Sequence, residues 1–281
     1  MKLSITNHRR DIFEKKYVYP VVSRRAKGLS LGINLNTNNA CNWQCIYCEV
    51  PNLTRGKPEP IDVNLLENDL NFWLKEILEG DFLAKHTEPG TMLRDIAFSG
   101  NGEPSACPEF GDVVDRVLNQ LELNHLNEKI IIRLITNGTH LSENYVQTAW
   151  KKIHGKKEIW FKIDSGDLEK IKIINQINLT QNQIKKNLES AIQISPTLIQ
   201  TCLIKINGEL PSDDEIQKYI DLIKPHEKKL QGIHLYSMAR PSEQKINLKI
   251  ERLTEAEINL IADKMKSLNV RSEEHTSELQ S

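Results

Sequence analysis

The chain has 281 residues and nearly balanced charge, with 37 Lys and Arg residues against 38 Asp and Glu residues. A formal net charge of −1 excludes a strongly basic nucleic-acid binder and a strongly acidic tail protein, but not a small local basic patch. The sequence contains no run of about 18 apolar residues, and its first twenty residues contain no apolar core of a secretory signal. We therefore expect a cytoplasmic protein without a membrane span.

Segments with apolar residues at every second position alternate along the chain with segments that repeat at helical spacing. In Leu29–Asn36, residues Leu29, Leu31, Ile33 and Leu35 share one face, which predicts a strand. The same reasoning predicts further elements, which alternate along the chain. In chain order, the helices are predicted over 61–80, 108–123, 141–153 (capped at Ser142), 180–194, 211–224 and 254–268. The strands between them are predicted over 95–100, 130–138, 158–164, 198–208 and 232–238.

Six strand–helix units in series predict an α/β fold with parallel strands wound in one hand. We predict a partial (βα)6 TIM-like barrel with a short N-terminal extension; an open doubly wound sheet is the alternative. Either fold places an active site at the C-terminal ends of the strands. Four unusual segments fall at such ends, and we expect them to converge on one rim: the cysteine-rich 40–50, SGNGEP (99–104), TNG (136–138) and DSGD (164–167).

The last eleven residues, RSEEHTSELQS, resemble a translated sequencing-library adapter, and we interpret them as an artefactual tail. They carry a net charge of −2, so residues 1–270 carry +1. The predicted organisation is an N-terminal extension over 1–28, one core domain over 29–270 and the artefactual tail over 271–281.

Three of the five cysteines, Cys41, Cys45 and Cys48, lie within eight positions in the spacing C-x3-C-x2-C. In a reducing compartment such thiols are metal ligands or catalytic groups rather than disulfides. A structural zinc site needs four ligands, and the remaining cysteines are Cys107, after the second strand, and Cys202, which we expect to be buried. The interpretations are a structural zinc site, uninvolved thiols, or a four-iron cluster with three thiolate ligands and one open iron.

This spacing, with Tyr47 before the last cysteine and SGNGEP after the next strand, closely resembles the radical S-adenosylmethionine (SAM) superfamily. The resemblance covers residues 28–268. It implies a [4Fe-4S] cluster on Cys41, Cys45 and Cys48, with SAM bound at the open iron. It also implies reductive cleavage of SAM to a 5′-deoxyadenosyl radical that abstracts hydrogen from a substrate, and a reducing electron donor such as flavodoxin or ferredoxin.

The resemblance assigns cofactor contacts to further residues. Tyr47 matches the aromatic residue near the adenine, and SGNGEP matches the glycine-rich loop that binds the amino group of SAM. In that loop Gly100 and Gly102 allow close backbone approach, Glu103 supplies an acceptor, and Asn101 stands where many members have glycine. Four residues at strand ends match positions that contact the ribose and carboxylate, with ordinary turn chemistry as the alternative: Thr136, Asn137, Asp164 and Ser165.

The stretches YPVVSRRAKGLSLGIN, CIYCEVPNLTRG and FSGNGEPS resemble the wyosine-synthase-related group, whose characterised members modify a guanosine beside a tRNA anticodon. The resemblance implies a tRNA-modifying enzyme, although no cysteine precedes Cys41, where the archaeal members carry a second cluster. The alternatives are a glycyl-radical-activating or other protein-modifying radical SAM enzyme, and a non-catalytic iron–sulfur or zinc scaffold.

The late strands contain candidate substrate-facing residues. Lys205 is an amine nucleophile or a strand-end charge, and His234 is catalytic or satisfied by core hydrogen bonds. Tyr236 and Arg240 complete the set.

Overall fold

The structure is a computed structural model that describes residues 3, 15–23, 25–268 and 272–275, the last four in their backbone alone. Much of the predicted N-terminal extension, 1–28, therefore lies outside the described residues. The strands are β1 (Val18–Ser23), β2 (Gly28–Ile33), β3 (Ala40–Cys41), β4 (Thr54–Arg55), β5 (Leu93–Phe98), β6 (Ile131–Thr136), β7 (Lys157–Lys162), β8 (Thr197–Cys202), β9 (Ile204–Ile206), β10 (Leu230–Tyr236), β11 (Ile250–Arg252) and β12 (Ser272–His275). The helices are α1 (Val63–Leu78), α2 (Phe82–His86), α3 (Phe110–Leu123), α4 (Asn144–Lys151), α5 (Leu168–Ile174), α6 (Gln181–Ile194), α7 (Asp213–Ile223) and α8 (Glu255–Lys264).

The chain divides into two compact units, each made of two separate segments. The first unit comprises Met1–Ala40 and Lys57–Glu158, and the second comprises Cys41–Gly56 and Ile159–Ser281. The cysteine-rich loop thus belongs to the same unit as the C-terminal half of the chain. Within the described part of the chain, no helix is long and apolar enough to cross a membrane.

The first unit is built on strands in the order β1-β2-β5-β6. β1 is antiparallel to β2, with Val18 opposite Ile33, whereas β2, β5 and β6 are parallel. The helices pack apolar faces on these strands. In the core, the ring of Phe98 lies 5.3 Å from that of Phe110 and 6.3 Å from that of Trp150, measured between centroids. Aromatic side chains bury more area than other side chains, so these ring contacts hold α3 and α4 against β5.

The second unit contains parallel strands in the order β7-β8-β10-β12, with Trp160 opposite Leu198 and Ile233 opposite Ile199. A separate antiparallel pair joins β9 to β11. β12 lies in the segment that we interpret as an artefactual tail, whose origin stays a prediction. The apolar cluster beneath the cysteine loop consists of Ile46, Tyr47, Ile174, Cys202, Ile204 and Met238.

Most predicted elements are confirmed. The strands predicted over 29–36, 95–100, 130–138, 158–164 and 232–238 correspond to β2, β5, β6, β7 and β10. The six predicted helices correspond to α1, α3, α4, α6, α7 and α8. Side-chain caps explain three of the helix starts, since Thr180, Ser212 and Thr254 each form a capping box with the residue three positions later.

Two local predictions are wrong, and one helix was not predicted. The strand predicted over 198–208 is two strands, because the chain turns at Leu203, whose N–H donates to the carbonyl of Tyr236 (2.7 Å), and β9 then pairs with β11. Helix α5 was not predicted. The N-cap position of α4 is Glu143 rather than Ser142, and the Glu143 side chain makes no capping hydrogen bond. Strand β1 lies within the predicted N-terminal extension over 1–28 and pairs with β2, and the boundary of that extension stays a prediction.

Candidate functional site

The cysteine loop, residues 41–50, is attached to the C-terminal end of α5. The last carbonyls of a helix have no partner within the helix, and here two of them accept N–H groups from the loop. The Ile174 carbonyl accepts the N–H of Ile46 (2.8 Å), and the Asn175 carbonyl accepts the N–H of Gln44 (3.2 Å). Backbone hydrogen bonds therefore place this loop, although its neighbours are about 130 residues away in sequence.

A second segment, the strap (residues 240–244), binds the other end of the cysteine loop. Ser242 Oγ donates to the Ile46 carbonyl (2.7 Å), and Gln244 Nε2 donates to the carbonyls of Cys48 (3.0 Å) and Val50 (2.9 Å). The strap thus satisfies carbonyls of a loop that has little secondary structure of its own.

Asp164, at the end of β7, is buried and joins several parts of the second unit. Its Oδ2 accepts from Tyr47 Oη (2.7 Å) and Asn175 Nδ2 (2.6 Å), its Oδ1 accepts the N–H of Cys202 (3.0 Å), and Lys162 Nζ lies 3.0 Å from Oδ2. Burial lowers the pKa of Lys162, but the negative groups around it, Asp164 first and then Tyr236, Cys45 and Cys202, together outweigh burial, so the net shift of this pKa is upward. The Lys162 ammonium also lies over the Tyr47 ring, 4.5 Å from its centroid. This contact and the hydrogen bond to Asp164 hold Tyr47 in one orientation.

Cys41 and Cys45 accept hydrogen bonds at sulfur. Asn175 Nδ2 lies 3.3 Å from Cys45 Sγ, and the backbone N–H of Trp43 lies 3.4 Å from Cys41 Sγ. Burial raises the pKa of the Cys45 thiol, while the Lys162 charge and the Asn175 hydrogen bond oppose that shift. Donors of this kind are suited to sulfur in its thiolate form, which is the form that binds metals.

The two remaining cysteines are buried thiols. Cys107 Sγ donates to Glu109 Oε2 (3.3 Å), and burial raises its pKa to about 12. Cys202 lies in the apolar cluster, as predicted, and burial raises its pKa as well. None of the five cysteines forms a disulfide. Among the described residues, no three His, Cys, Asp or Glu side chains come together in a way that could hold a single metal ion.

In the first unit, Glu103 ties the SGNGEP loop to the end of β6. Its Oε1 accepts from the N–H (3.0 Å) and Oγ (2.5 Å) of Ser105 and from Thr136 Oγ1 (2.6 Å), while Oε2 accepts the N–H of Asn137 (2.6 Å). The Asn137 amide oxygen accepts the N–H and hydroxyl of Thr139 (3.1 and 2.7 Å). Thr136 and Asn137 thus take part in the turn chemistry weighed as the alternative, and their predicted SAM contacts stay predictions.

The same loop packs tightly on the end of β2. Asn34 Oδ1 accepts the N–H groups of Asn36 (3.1 Å) and Asn101 (3.0 Å). A Cβ atom on Gly100 would collide with Asn34, and one on Gly102 would collide with Asn36, so both glycines are needed for this packing. The Asn36 Nδ2 group donates to a backbone carbonyl (2.9 Å), whereas its Oδ1 is buried and has no hydrogen-bond partner in the described part of the chain.

Two of the late-strand candidates form ion pairs. Lys205 Nζ lies 2.7 Å from Glu257 Oε1. Arg240 belongs to the strap, and its backbone N–H and Nε donate to the Glu49 carboxylate (3.0 and 2.8 Å). Both charges therefore have carboxylate partners within the second unit, and Arg240 is bound to the cysteine loop itself.

The other candidates are core or turn residues in the structure. The His234 ring is buried and packs on Trp160, 4.9 Å between centroids. Tyr236 is half-buried beside the apolar cluster. Ser165 Oγ accepts the N–H of Asp167 (3.1 Å), which forms the turn into α5. The roles predicted for these residues toward cofactor or substrate stay predictions.

Sequence reasoning missed Lys162, Asn175 and Gln244. Lys162 carried a usable signal, since it lies two residues before Asp164 on the strand predicted over 158–164 and would share its face there. Asn175 and Gln244 carried none, because their contacts with Cys45 and Cys48 span 130 and 196 residues.

No family model matches the chain. Among curated proteins it is similar to the GTPase Obg of Brachyspira hyodysenteriae, at 25% identity over 221 residues, which is 75% of this chain and 29% of that protein. The chain thus spans less than a third of the length of that relative.

Among solved structures, the chain is similar to SuiB of Streptococcus suis bound to the precursor peptide SuiA, with a TM-score of 0.59 and 13% identity over 92% of this chain and 51% of SuiB. SuiB is also known bound to S-adenosylmethionine. A radical SAM methyltransferase from Sphaerobacter thermophilus has a TM-score of 0.57 and 12% identity over 92% of this chain and 69% of that protein. The chain spans about half the length of SuiB and has the fold of radical SAM enzymes, which confirms the predicted fold class.

Proposed function

We propose that this chain is a radical SAM enzyme in which Cys41, Cys45 and Cys48 bind a [4Fe-4S] cluster and SAM is the second cofactor. The observation that carries the proposal is the C-x3-C-x2-C loop in a fold shared with a radical SAM methyltransferase and with the SAM-binding protein SuiB. The solved structures support the fold, and the cysteine loop supports the chemistry.

The donor set fits an iron–sulfur cluster better than a structural zinc ion. Zinc requires four ligands around one ion, and the described residues bring no three such ligands together. In a four-iron cluster each thiolate binds a different iron, so the thiolates stand farther apart than around one ion. Cys107, the fourth thiol weighed for zinc, is instead a neutral, buried donor to Glu109.

The first unit contains a feature that fits the binding of a polar cofactor. Asn36 Oδ1 is a buried acceptor beside the SGNGEP loop, and a buried polar atom is stable only when a donor satisfies it. We propose that a hydrogen-bond donor of SAM is that partner.

Cys41, Cys45 and Cys48 would hold the cluster, and the bound cluster with SAM would supply the radical chemistry that reductive cleavage of SAM makes available. The residues of this chain hold the reacting groups in place. The end of α5 and the strap fix the backbone of the cysteine loop, Asp164 orients Tyr47 within the second unit, and Glu103 orients the SGNGEP loop within the first. Fixed geometry of this kind lowers the entropic cost of reaching a reactive arrangement.

We further propose tRNA as the substrate class. The three stretches that resemble the wyosine-synthase-related group support this choice, and Lys151 and Lys156 are exposed cations in a basic stretch of the first unit. A protein substrate, as for glycyl-radical-activating enzymes, is the alternative within the same chemistry.

Anaerobic reconstitution tests the cofactor assignment. We expect about four irons per chain, a brown absorption spectrum, and release of 5′-deoxyadenosine from SAM when dithionite replaces the natural donor, for which we propose flavodoxin or ferredoxin. Cys45→Ala should lose both cluster and cleavage while keeping the far-ultraviolet circular dichroism of the parent. Colourless zinc-bound protein would exclude the radical assignment, and a cluster without SAM cleavage would favour a scaffold.

Mass spectrometry of tRNA nucleosides tests the substrate class. A strain that lacks this gene should lose one modified guanosine that its parent contains, and a plasmid copy with intact Cys45 should restore it, whereas a Cys45→Ala copy should not. Identical nucleosides in the two strains would contradict a tRNA substrate.

A further inference from the structure

The side chain of Asn175 reaches the sulfur of a cysteine that we assign to the cluster. Its Nδ2 lies 3.3 Å from Cys45 Sγ, in the first residue after α5. The contact joins residues 130 positions apart and comes from a side chain, so substitution can remove it. At Cys41 the corresponding donor is the backbone N–H of Trp43, which substitution does not remove.

The orientation of Asn175 is fixed on several sides. The same Nδ2 group donates to Asp164 Oδ2 at 2.6 Å, the backbone N–H donates to the Ile171 carbonyl at 2.8 Å, and the backbone carbonyl accepts the N–H of Gln44 at 3.2 Å. The residue is 1% exposed. An amide held this firmly keeps its N–H directed at the sulfur without reorganisation when the charge on the sulfur changes.

An N–H group directed at a ligand sulfur stabilises the more negative state of an iron–sulfur cluster, because the positive end of the N–H dipole faces the added electron density. Hydrogen bonds to the sulfurs are among the factors that set the reduction potentials of such clusters, together with net charge and solvent exposure. The effect is large in a buried site, where water does not screen the dipole.

We propose that Asn175 is a positioning residue that raises the reduction potential of the cluster through its hydrogen bond to Cys45, and so makes the cluster easier to reduce. This inference rests on the proposed function, since it needs a cluster on Cys41, Cys45 and Cys48. It assigns a role to the end of α5 beyond holding the loop.

Potentiometric titration of the reconstituted protein without SAM, followed by electron paramagnetic resonance of the reduced cluster, tests the proposal. Asn175→Leu removes the N–H at nearly constant volume, and Asn175→Asp keeps the planar shape but puts a carboxyl oxygen in place of the amide nitrogen, where the new carboxyl shares a proton with Asp164. We expect both variants to retain about four irons per chain. At the wild-type midpoint potential, the ratio of reduced to oxidised cluster should fall about tenfold in Asn175→Leu, which corresponds to a shift of 59 mV for one electron, and it should fall in Asn175→Asp as well.

Gln244→Leu is the matched control. It removes an amide that donates to the carbonyls of Cys48 and Val50 in the same loop and, in the described contacts, to no sulfur. The reduction potential of the cluster in Gln244→Leu should therefore equal that in the wild type. An unchanged potential in Asn175→Leu, or an equal shift in Gln244→Leu, would overturn the proposal. Loss of iron from both Asn175 variants would overturn it too, because Asn175 would then serve assembly. A wild-type protein without a cluster would instead refute the proposed function.

Discussion

Glu103 and Asp164 are buried carboxylates whose oxygens are already engaged by donors from their own units. A buried charge is costly unless it is paired and hydrogen-bonded. Glu103 meets this requirement with Ser105, Thr136 and Asn137, and Asp164 meets it with a lysine and three hydrogen-bond donors. The resemblance assigned both residues to SAM. In the structure, each of these two carboxylates holds loops that carry other predicted site residues.

Another buried charge, Arg133, lies on β6 in the first unit. It is paired with Asp95 on β5, and its Nε donates to Glu158 Oε2 at 2.9 Å. Asp95 is 1% exposed, and its Oδ1 has no hydrogen-bond partner among the described residues. The Asp95 charge therefore depends on Arg133 for compensation.

We expect Arg133→Met to lower the free energy of unfolding by about 3–5 kcal/mol, because Asp95 would keep a buried, uncompensated charge. The double variant Arg133→Met with Asp95→Leu should recover most of this loss, since an apolar pair often replaces a buried ion pair without cost. Urea denaturation, fitted for the midpoint and slope of the transition, measures the free energy of unfolding of both variants. Lys152→Ala breaks an exposed pair with Asp115, and it should cost less than about 1 kcal/mol. A similar effect from Lys152→Ala and Arg133→Met would contradict the argument.

At the scale of elements, the sequence pattern was sufficient where an element buries a regular face. α1 repeats apolar residues at helical spacing and buries Leu66, Leu70 and Trp73. β2 forms where the alternating apolar residues predicted it, although its other face, with Ser30 and Gly32, is buried as well. α5 escaped prediction because it has only seven residues and buries only Ile171 and Ile174. β8 and β9 were merged because the break at Leu203 depends on a hydrogen bond to Tyr236, which is distant in sequence.

The same limit applies to the candidate site. Sequence spacing identified the cysteine loop and the SGNGEP loop, since both are local patterns. It could not identify the segments that hold the cysteine loop, because the end of α5 and the strap act through backbone carbonyls and amide side chains that have no characteristic spacing. It also could not foresee that the side chain of Arg240, a candidate substrate-facing residue, pairs with Glu49 in the loop; the substrate role of Arg240 stays a prediction.

At the scale of the whole molecule, the chain passes between the two units three times, after Ala40, Gly56 and Glu158. The segment Cys41–Gly56 leaves the first unit after Ala40 and belongs to the second, and the chain returns to the first unit at Lys57. The residues at which the chain leaves the first unit and returns to it lie close together, since Asn38 Nδ2 donates to the Lys57 carbonyl at 3.1 Å. A short linker can therefore join Ala40 to Lys57 without distorting the first unit.

This arrangement predicts a selective effect of replacing residues 41–56 with a short Gly-Ser linker. The second unit would lose Ile46 and Tyr47 from its apolar cluster, and each large buried side chain removed from a core costs about 2–5 kcal/mol. That sum approaches the whole stability of a typical domain, about 5–15 kcal/mol. We expect amide hydrogen exchange to accelerate strongly in β8 and β10 and to remain slow in β2 and β5, because exchange reports the stability of each cooperative region.

The triple variant Cys41→Ser, Cys45→Ser and Cys48→Ser separates packing from metal binding. It removes all three thiols but keeps Ile46 and Tyr47 in the apolar cluster, so the metal-free triple variant should retain slow exchange in β8 and β10. Fast exchange in these strands for the triple variant would mean that the thiols, and not the apolar side chains, stabilise the second unit. For the protein with the replaced loop, equal acceleration of exchange in β2 and β5 would show that the two units unfold together. Unchanged exchange in β8 of that protein would show that the loop only covers a unit that is stable without it.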